Sequence, residues 1–336
     1  MQALPSLPAL TAPPTADQLR QTHTAISPYL QETPVLRSGG LNRLAGAELW
    51  FKCESLQRVG AFKMRGALRA AMAIPEAERF KGLATHSSGN HAQAVALTAR
   101  LLGVPAYIVM PVNAPGPKRQ ATLGYGAEII PCEATLQARE ATLAQVVDRT
   151  GAHFIPPYDD YNIIAGQATS ALELLDAQPD LEAVLAPVGG GGLISGTLLA
   201  ARAHRKDIRV YAAEPSRVDD AFRSLQSGVL QGNTRTDTIA DGLRTSLGKR
   251  NFHILQSGLD GVLRVDEDEI VSAMVLIWER LKIVVEPSAA VPLAAVLRYP
   301  ELFSGKKVGL ILSGGNADLL ELLHLLNPPP AALATA

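Results

Sequence analysis

The sequence predicts an α/β fold built on parallel sheets, and three observations support this class. Short apolar segments alternate with helical segments along the 336 residues, which is the order that βα units produce. Several predicted helices end at a glycine, as helix C-termini often do. One apolar strand, 183–187, runs into four consecutive glycines that open the next helix. A chain of this length can bury a large core and form two lobes.

The N-terminal part predicts two helices around one strand. Residues 15–29 form a helix, 47–53 alternate like a strand, and 67–74 form an alanine-rich helix that ends before Pro75. Residues 1–14 are rich in proline and alanine, and we expect them to form a flexible tail.

The middle part repeats the order of strand and helix three times. Predicted strands lie at 82–85, 106–110, 128–131 and 153–155, and predicted helices lie at 90–102, 118–125 and 136–150. Glycines follow all three helices, at Gly103, Gly126 and Gly151. This repeat predicts a compact parallel-sheet lobe over residues 82–157.

The C-terminal part predicts a second and larger set of strands and helices. Strands are expected at 183–187, 210–213 and 307–312, and helices at 165–175, 193–204, 267–280 and 288–297. Asp266 is suited to cap the third of these helices. Residues 327–336, again rich in proline and alanine, are expected to form a flexible tail.

Composition excludes several classes of protein. A formal net charge of −1 with 47% apolar residues indicates a globular protein without a broad basic surface. We therefore expect neither a nucleic acid nor a membrane as partner. Two cysteines, Cys53 and Cys132, make neither a disulfide framework nor a zinc quartet, which fits a reducing cytoplasm. No signal peptide and no stretch long enough to span a bilayer is recognisable.

Lys63 lies between an aromatic residue and an arginine in segment 60–66, with apolar residues on both flanks. A lysine in packed surroundings is costly unless its amine is neutral or covalently engaged. An imine to a carbonyl cofactor would meet that condition. The competing interpretation is a surface lysine whose stem is buried and whose amine is solvated.

Four consecutive glycines, 189–192, separate an apolar strand from a helix. Glycines let backbone N–H groups converge, and the helix N-terminus adds the positive end of its dipole, so this turn could hold a phosphate. The alternative is a dinucleotide site with Glu214 as the ribose acid, but the glycine spacing fits that fingerprint poorly. A plain tight turn would need one glycine rather than four.

Two further turns carry polar groups at the ends of predicted strands. Residues 87–91 precede an alanine-rich helix and could hold a carboxylate, or Ser87 could simply cap the helix. His86 and His91 are more suited to scaffold hydrogen bonds than to acid–base work. Ser313 would offer its hydroxyl at the C-terminal end of a strand, where ligands of parallel sheets bind.

The charged candidates are fewer. Glu214, Asp219 and Asp220 share one loop that could hold a hard cation or could be a solvated acidic turn. Arg139 could pair with a second substrate carboxylate or could be an exposed helix residue. Glu286 could be a buried carboxylate near the site or a helix cap.

Lys63, the turn at Ser88, the glycine turn and Ser313 occur in an order that is found in one group of enzymes. The chain resembles the serine racemase and serine/threonine dehydratase family of pyridoxal-phosphate enzymes, fold type II, over residues 33–316. The most specific matches are FKMRG at 62–66, SSGNH at 87–91, IAGQ at 164–167 and SGGN at 313–316. The dinucleotide interpretation accounts for only one such segment.

The resemblance implies a pyridoxal 5′-phosphate cofactor in a cleft between two lobes rich in parallel sheet. Residues 15–81 and 158–326 would form the large cofactor-binding domain, and residues 82–157 the small domain that closes over an amino-acid substrate. A homodimer is also implied.

The resemblance assigns roles to single residues as well. Lys63 would form the internal aldimine and act as the catalytic base, with Ser88 as the catalytic residue on the opposite face. The other cofactor-binding residues would be Phe62, Asn90, Gly189, Gly190, Gly191, Gly192, Leu193 and Ser313. The substrate-binding residues would be Ser87, Ser88, Gly89, Asn90, His91, Arg139, Tyr158, Gly242 and Thr245. A divalent cation (Mg, Ca or Mn) would be held by Glu214, the carbonyl of Val218 and Asp220.

The implied reaction is dehydration of a β-hydroxy-α-amino acid of the threonine and serine class. Lys63 would remove the Cα proton, and loss of the β-hydroxyl would lead to a 2-oxo acid and ammonia. A serine hydroxyl cannot keep the pyridine nitrogen fully protonated, which favours elimination over transamination. Reprotonation from Ser88 would instead make the enzyme a serine racemase.

Departures from the family pattern bear on the substrate. Tyr158 stands where dehydratases carry an aromatic residue, and Arg139 matches an arginine that can meet an acidic side chain. Dehydratases specialised for 3-hydroxyaspartate or phenylserine therefore remain alternatives. Ala61, Ala92 and Ala168 replace a serine and two glycines of the pattern, and the sequence does not reveal their effect.

Overall fold

The computed structural model describes residues 4–114, 116–318 and 322, and the strands in these residues form two sheets. The strands are β1 (Val35–Leu36), β2 (Glu48–Cys53), β3 (Leu83–His86), β4 (Ala106–Pro111), β5 (Glu128–Cys132), β6 (His153–Phe154), β7 (Ala183–Pro187), β8 (Arg209–Pro215), β9 (Gly261–Val265) and β10 (Lys307–Leu312).

The same residues form thirteen α-helices, several of which are short. They are α1 (Ala16–Ile26), α2 (Gly39–Ala45), α3 (Lys63–Met72), α4 (Asn90–Leu102), α5 (Gly116–Gly124), α6 (Leu136–Thr150), α7 (Tyr161–Ala177), α8 (Gly192–His204), α9 (Asp220–Ser227), α10 (Lys249–Gln256), α11 (Glu267–Leu281), α12 (Pro287–Arg298) and α13 (Pro300–Phe303). None of the helices in the described residues has the length and apolarity needed to cross a membrane.

The larger sheet has the strand order β1-β2-β10-β7-β8-β9, and only the β1–β2 pair is antiparallel. Alternate residues of β7 enter two different cores, Ala183 and Leu185 on one face and Val184 and Ala186 on the other. Helices α11 and α12 cover the first face, and α7 and α8 cover the second. Burial on both faces explains why β7 is apolar along its whole length.

The smaller sheet has the order β5-β4-β3-β6 with all strands parallel. Its strands and its helices α4, α5 and α6 fall between α3 and α7 in the chain. Helix α3 shares an apolar core with α4, and it also crosses α7 closely. A Cβ added to Gly166 would lie 2.5 Å from the carbonyl oxygen of Arg65. Helix α3 therefore packs against both sheet units.

The predicted α/β class with parallel sheets is confirmed, but several element boundaries differ. Helix α3 begins at Lys63 rather than at Ala67. Gly66 weakens the local helix propensity, so the sequence places the start of the helix after it. In the structure Gly66 lies inside the helix, where its lack of a side chain allows α3 and α7 to meet. A Cβ at Gly66 would lie 2.3 Å from Nε2 of Gln167. The sequence does not predict helices α2, α9 and α10 or strand β9, because each of these elements is only five to eight residues long.

The N-terminal segment is packed where the sequence predicts a flexible tail. Arg79 donates to the carbonyl oxygen of Leu4 at 2.7 Å, and the Leu7 N–H donates to the carbonyl of Met72 at 2.8 Å. The tail prediction for residues 1–14 is therefore wrong for residues 4–7, because a buried arginine finds its acceptors there. Residues 1–3 and the predicted tail 327–336 lie outside the described residues.

Candidate active site

The packing of α3 places Lys63 beside residues that are distant in sequence. Its Nζ donates to the carbonyl oxygen of Pro157 at 2.7 Å and lies 5.1 Å from the centre of the Phe62 ring. The Phe62 N–H donates to the carbonyl oxygen of Ser313 at 3.0 Å. The start of α3 and the end of β10 are thus joined, which brings Lys63, Phe62 and Ser313 into one site.

Burial changes the protonation of Lys63. Desolvation lowers the pKa of its amine to about 8, and the negative charge of Glu286 opposes that shift. A neutral amine is therefore accessible near physiological pH, and a neutral amine is the nucleophilic form of lysine. The chemistry available here is covalent capture of a carbonyl group.

The four-glycine turn joins β7 to α8, and three of its glycines leave no room for a side chain. A Cβ at Gly190 would lie 2.2 Å from Cγ of Tyr158, one at Gly189 would lie 2.9 Å from Cα of Leu243, and one at Gly191 would lie 2.5 Å from Cδ1 of Leu247. Gly191 also has a positive φ of 95°. The neighbouring segments therefore require the glycines, which the sequence pattern alone could not show.

The turn presents free backbone donors at the start of α8. The first N–H groups of a helix have no acceptor within the helix, and its dipole is positive at that end. The carbonyl oxygen of Gly190 faces the other way, since it accepts from Nδ2 of Asn251 at 3.0 Å and from the N–H of Gly248 at 3.1 Å. Asn251 thus holds the turn in a conformation that suits a phosphate group. Leu193, in the first turn of α8, is buried beside it.

The turn at residues 87–91 joins β3 to α4. The N-cap of α4 is Gly89, and no side chain caps the helix, so the alternative in which Ser87 is an ordinary cap is wrong. The Gly89 N–H donates to Oγ of Ser87 at 3.3 Å. A Cβ at Gly89 would meet nothing within 4 Å. The turn, with Ser88 at its centre, therefore faces open space that a carboxylate could occupy.

His91 is a scaffold residue, as the sequence predicts. Its Nε2 lies 2.9 Å from the carbonyl oxygen of Ile155, which can only accept, so the ring proton is on Nε2. Burial, with the positive charge of Lys63 as a further cause, lowers the pKa of His91 to about 3. The imidazole is therefore neutral at physiological pH.

Asn90 contacts Glu286, for which the sequence left a carboxylate near the site or a helix cap open, and Asn316, to which the sequence assigned no role. Its Nδ2 donates to both oxygens of Glu286, at 3.0 and 3.1 Å, and its Oδ1 accepts from Nδ2 of Asn316 at 2.9 Å. Burial raises the pKa of Glu286 to about 7, and Asp241 adds to this shift. The only sequence signals for these residues were a glutamate before a proline and the last letter of the SGGN segment.

The remaining predicted substrate residues are less closely connected. Tyr158 packs over Gly190 and follows Pro157, the acceptor for Lys63. The N–H of Gly242 donates to Oγ of Ser288 at 3.1 Å, whereas Thr245 is exposed. Gly242 is therefore held on the N-terminal turn of α12.

Arg139 lies on α6 beside the end of β3. Its positive charge contributes to a lowered pKa of His86, the residue before the 87–91 turn, although burial is the main cause. Its Nε is buried and has no hydrogen-bond partner among the described residues. Arg139 thus offers an unused donor near the open turn.

The predicted cation ligands Glu214, Val218 and Asp220 also lie together. Glu214 is fully buried and accepts the N–H groups of Ala221 and Phe222 at 3.0 and 2.9 Å. Burial raises the pKa of Glu214 well above its usual range and that of Asp220 to about 6, and Asp220 adds to the shift of Glu214. Two neighbouring carboxylates whose charge is disfavoured by burial fit a site for a hard cation.

A reactive buried amine beside an anion-binding turn at a helix N-terminus is a site for a phosphorylated carbonyl compound. On this two-sheet fold, with a serine at the end of a central strand, the combination defines the fold type II class of pyridoxal-phosphate enzymes.

Comparisons with known proteins agree with this class. The chain belongs to the family described as "Pyridoxal-phosphate dependent enzyme", whose model matches residues 26–314. It is 46% identical to a serine racemase of Dictyostelium discoideum, covering 93% of this chain and 98% of that protein. It is 45% identical to a β-hydroxyaspartate dehydratase of Paracoccus denitrificans, covering 92% and 98%. A solved threonine deaminase from T.th. superposes with a TM-score of 0.87 at 43% identity, covering 91% and 99%.

These findings confirm that the protein is a pyridoxal-phosphate enzyme with fold type II architecture. The relatives include both dehydratases and racemases, so the predicted family is confirmed, and both of the activities that the resemblance implied are represented in it. Similarity over a whole chain does not by itself assign roles to single residues, a cation or an assembly.

Proposed function

We propose that the protein is a pyridoxal-phosphate-dependent ammonia-lyase that acts on a β-hydroxy-α-amino acid with a second carboxylate, of the 3-hydroxyaspartate type. The observation that carries this proposal is the unpaired, buried Nε of Arg139 near the 87–91 turn. An anionic side chain on the substrate would satisfy that donor. The similarity to a β-hydroxyaspartate dehydratase supports the same class.

In this proposal the residues of the chain divide the work. Pyridoxal phosphate, when bound, supplies an acceptor for the electrons that remain after proton removal. Lys63 would hold it covalently, residues 189–193 would hold its phosphate, Phe62 and Asn90 would contact it, and Ser313 would hydrogen-bond its ring nitrogen. The amine of Lys63, once free, takes the Cα proton, for which a pKa of about 8 is well suited.

The substrate is bound through its α-carboxylate at the 87–91 turn and through its β-carboxylate at Arg139. Tyr158, Gly242 and Thr245 border it. Loss of the Cα proton and of the β-hydroxyl, which leaves as water, yields an enamine; its imine tautomer takes up water to give a 2-oxo acid and ammonia. Closure of residues 82–157 over residues 15–81 and 158–326 excludes solvent during these steps.

We also propose that Glu214, the carbonyl of Val218 and Asp220 bind a divalent cation of the Mg, Ca or Mn type. Their burial and their raised pKa values support this, because a cation would compensate the charge that burial disfavours on both carboxylates. A homodimer is proposed from the resemblance, and sedimentation analysis showing only monomer would contradict it. The two free buried cysteines support a reducing compartment such as the cytoplasm.

A serine racemase is the second candidate, since Ser88 sits in the open turn and several relatives carry that name. Protonation of Cα from the face opposite Lys63 would invert the configuration. Chiral analysis of recovered substrate separates this activity from dehydration, because only a racemase returns the other enantiomer.

A substrate panel tests the proposal. L- and D-serine, threonine, phenylserine and the isomers of 3-hydroxyaspartate are compared by 2-oxo acid release, with Lys63→Ala as the inactive control. We expect 3-hydroxyaspartate to have the highest kcat/KM. Arg139→Leu should lower that value by about tenfold to one hundredfold, the cost of one charged hydrogen bond, and should leave serine nearly unchanged.

Arg149→Leu, on the same helix but exposed, is the matched control and should behave like wild type. Serine as the best substrate, or equal losses on serine and 3-hydroxyaspartate in Arg139→Leu, would contradict the substrate assignment. Activity that survives Lys63→Ala would contradict the lyase itself.

A further inference from the structure

Glu286 begins α12 without capping it. It stands at the N-cap position of the helix, and its side chain makes no hydrogen bond to the helix amides. Its carboxylate instead reaches Asn90 at the start of α4, which belongs to the smaller sheet unit. With 4% of its surface exposed, Glu286 is a buried acid whose strongest contact crosses from one sheet unit to the other.

The hydrogen bonds that lead to Glu286 can run in only one direction. The carbonyl of Val59 accepts from Nδ2 of Asn316 at 2.6 Å, so that nitrogen is a donor. The same nitrogen donates to Oδ1 of Asn90, which orients the Asn90 amide. Nδ2 of Asn90 must then donate, and the ionised Glu286 carboxylate supplies two acceptors. These hydrogen bonds form a relay that runs from Val59 through Asn316 and Asn90 to Glu286. Each amide in the relay therefore has a defined orientation.

The backbone around the relay is shaped to admit it. Val59 has a φ of 57°, a left-handed conformation that β-branched residues rarely adopt. A Cβ at Gly60 would lie 2.6 Å from Oδ1 of Asn316, and one at Gly314 would lie 2.6 Å from Oε1 of Glu286. The backbone of Val59 is unfavourable, and the side chains of the relay require glycine at two neighbouring positions. Such costs at one set of hydrogen bonds indicate a function beyond packing.

We propose that Glu286 is a positioning residue for the reaction: its ionised carboxylate fixes the Asn90 amide, and with it the start of α4, relative to Lys63. The inference rests on the proposed function, because it assigns Glu286 to the same site. Asn90 has two amide hydrogens. Both carboxylate oxygens of Glu286 can accept from the same hydrogen, which leaves the second hydrogen for a bond to the cofactor.

This arrangement makes the position of Asn90 depend on pH. Protonation of Glu286 removes one of the two acceptors and weakens the hold on the amide. Burial and Asp241 favour the protonated form, whereas Asn90, Lys118 and the Asn316 backbone favour the charged form. Lys63 also faces Glu286, since the carboxylate raises the pKa of that amine. The pKa of about 7 for Glu286 places this change near neutral pH.

The test compares wild-type holoenzyme with Glu286→Gln, Asn90→Ala and the double variant. The visible absorbance band of the bound cofactor is titrated with pH, and kcat and KM are measured with 3-hydroxyaspartate, or with serine if that is the better substrate. We expect a transition with a midpoint of about 7 in wild type that is absent in Glu286→Gln. The kcat of this variant should fall by about tenfold, with KM changed less.

If Glu286 acts through Asn90, the losses in kcat are not additive, and the double variant resembles Asn90→Ala. Glu286→Asp, which keeps the charge but shortens the side chain, should retain a transition and lose kcat. Cofactor content and circular dichroism confirm that each variant is folded and loaded. An unchanged transition in Glu286→Gln, or additive losses, would overturn the inference. A wild-type protein with no visible band would instead overturn the proposed function.

Discussion

Lys63 illustrates how a local environment sets the chemistry of one residue. Its amine donates to the backbone carbonyl of Pro157, which can accept from both the charged and the neutral form. Burial favours the neutral amine, and Glu286 recovers only part of the loss. A lysine between an aromatic residue and an arginine in sequence thus becomes a nucleophile because the packing around it removes its amine from water.

The pH dependence of cofactor capture follows from this environment. The pKa of Lys63 is lowered from 10.5 to about 8, so its reactive fraction rises with pH and levels off above that value. The rate at which cofactor-free protein regains its visible band should show a midpoint of about 8. A lysine derivative with a free side-chain amine and a blocked α-amine, mixed with the cofactor, is the control, and its rate should keep rising well above that pH. A protein rate that follows the control would contradict a desolvated Lys63.

Ala61 shows why one departure from the family pattern is tolerated. It is fully buried, forms an antiparallel bridge with Gly314, and would lie 3.2 Å from a Cβ placed there. A serine at this position would bring a hydroxyl that needs a partner in a tight space. The contacts of Ala92 and Ala168 do not explain their effect on the reaction.

At the scale of elements, α3 is anchored by a buried ion network directly behind Lys63. Arg65 has no exposed surface and donates to Glu54 at 2.7 and 2.8 Å and to Glu173 at 2.6 and 2.7 Å. Lys52 pairs with the same Glu173 at 2.6 Å. Two cations and two carboxylates are thus satisfied together, which is the condition under which buried charge is tolerated. This network links α3 to β2 and α7 and holds Lys63 in place.

The proposed cation site joins the end of β8 to the start of α9, and its occupancy should stabilise the fold. Addition of MgCl2 or CaCl2 to chelator-treated wild type should raise Tm, corresponding to about 3 kcal/mol at a hundredfold excess over Kd. Asp220→Asn should lose most of this response. Asp219→Asn is the matched control, because the Asp219 carboxylate pairs with Arg223 and Arg264 instead. An equal response in both variants would place the cation elsewhere.

At the scale of the whole molecule, the two sheet units meet through polar contacts around the cleft. Besides Asn90 with Glu286, Lys118 on α5 forms an ion pair with Asp241, the residue before Gly242. Both charges also influence Glu286. The ion pair therefore lies near the proposed substrate site and connects α5 of the smaller sheet unit with the segment that carries Gly242.

Loss of this ion pair should favour the open form. Lys118→Met should raise KM by about two- to fivefold, as expected for a partly exposed pair worth at most about 1 kcal/mol, and should increase hydrogen exchange in residues 116–124. Lys81→Met removes a pair with Glu78 within one surface segment and serves as control. A Lys118 variant with unchanged KM and exchange would show that the pair does not contribute to closure.

The sequence by itself determined the fold class, the family, and the lysine, glycine turn and serine that suit the cofactor. These features are local, because strand and helix periodicity, helix-ending glycines and short motifs depend on neighbouring residues. The same reasoning missed the packed segment 4–7 and the start of α3, where partners distant in sequence prevail over local preference.

Only the tertiary structure revealed Glu286 and Asn316 as neighbours of Asn90, the network of Arg65, and the ion pair across the cleft. A glutamate before proline, an asparagine after two glycines and a surface lysine are each ordinary in sequence. Their significance comes from burial and from contacts between segments that lie far apart in the chain. Those quantities arise when α3 packs against both sheet units, and no periodicity in the sequence encodes them.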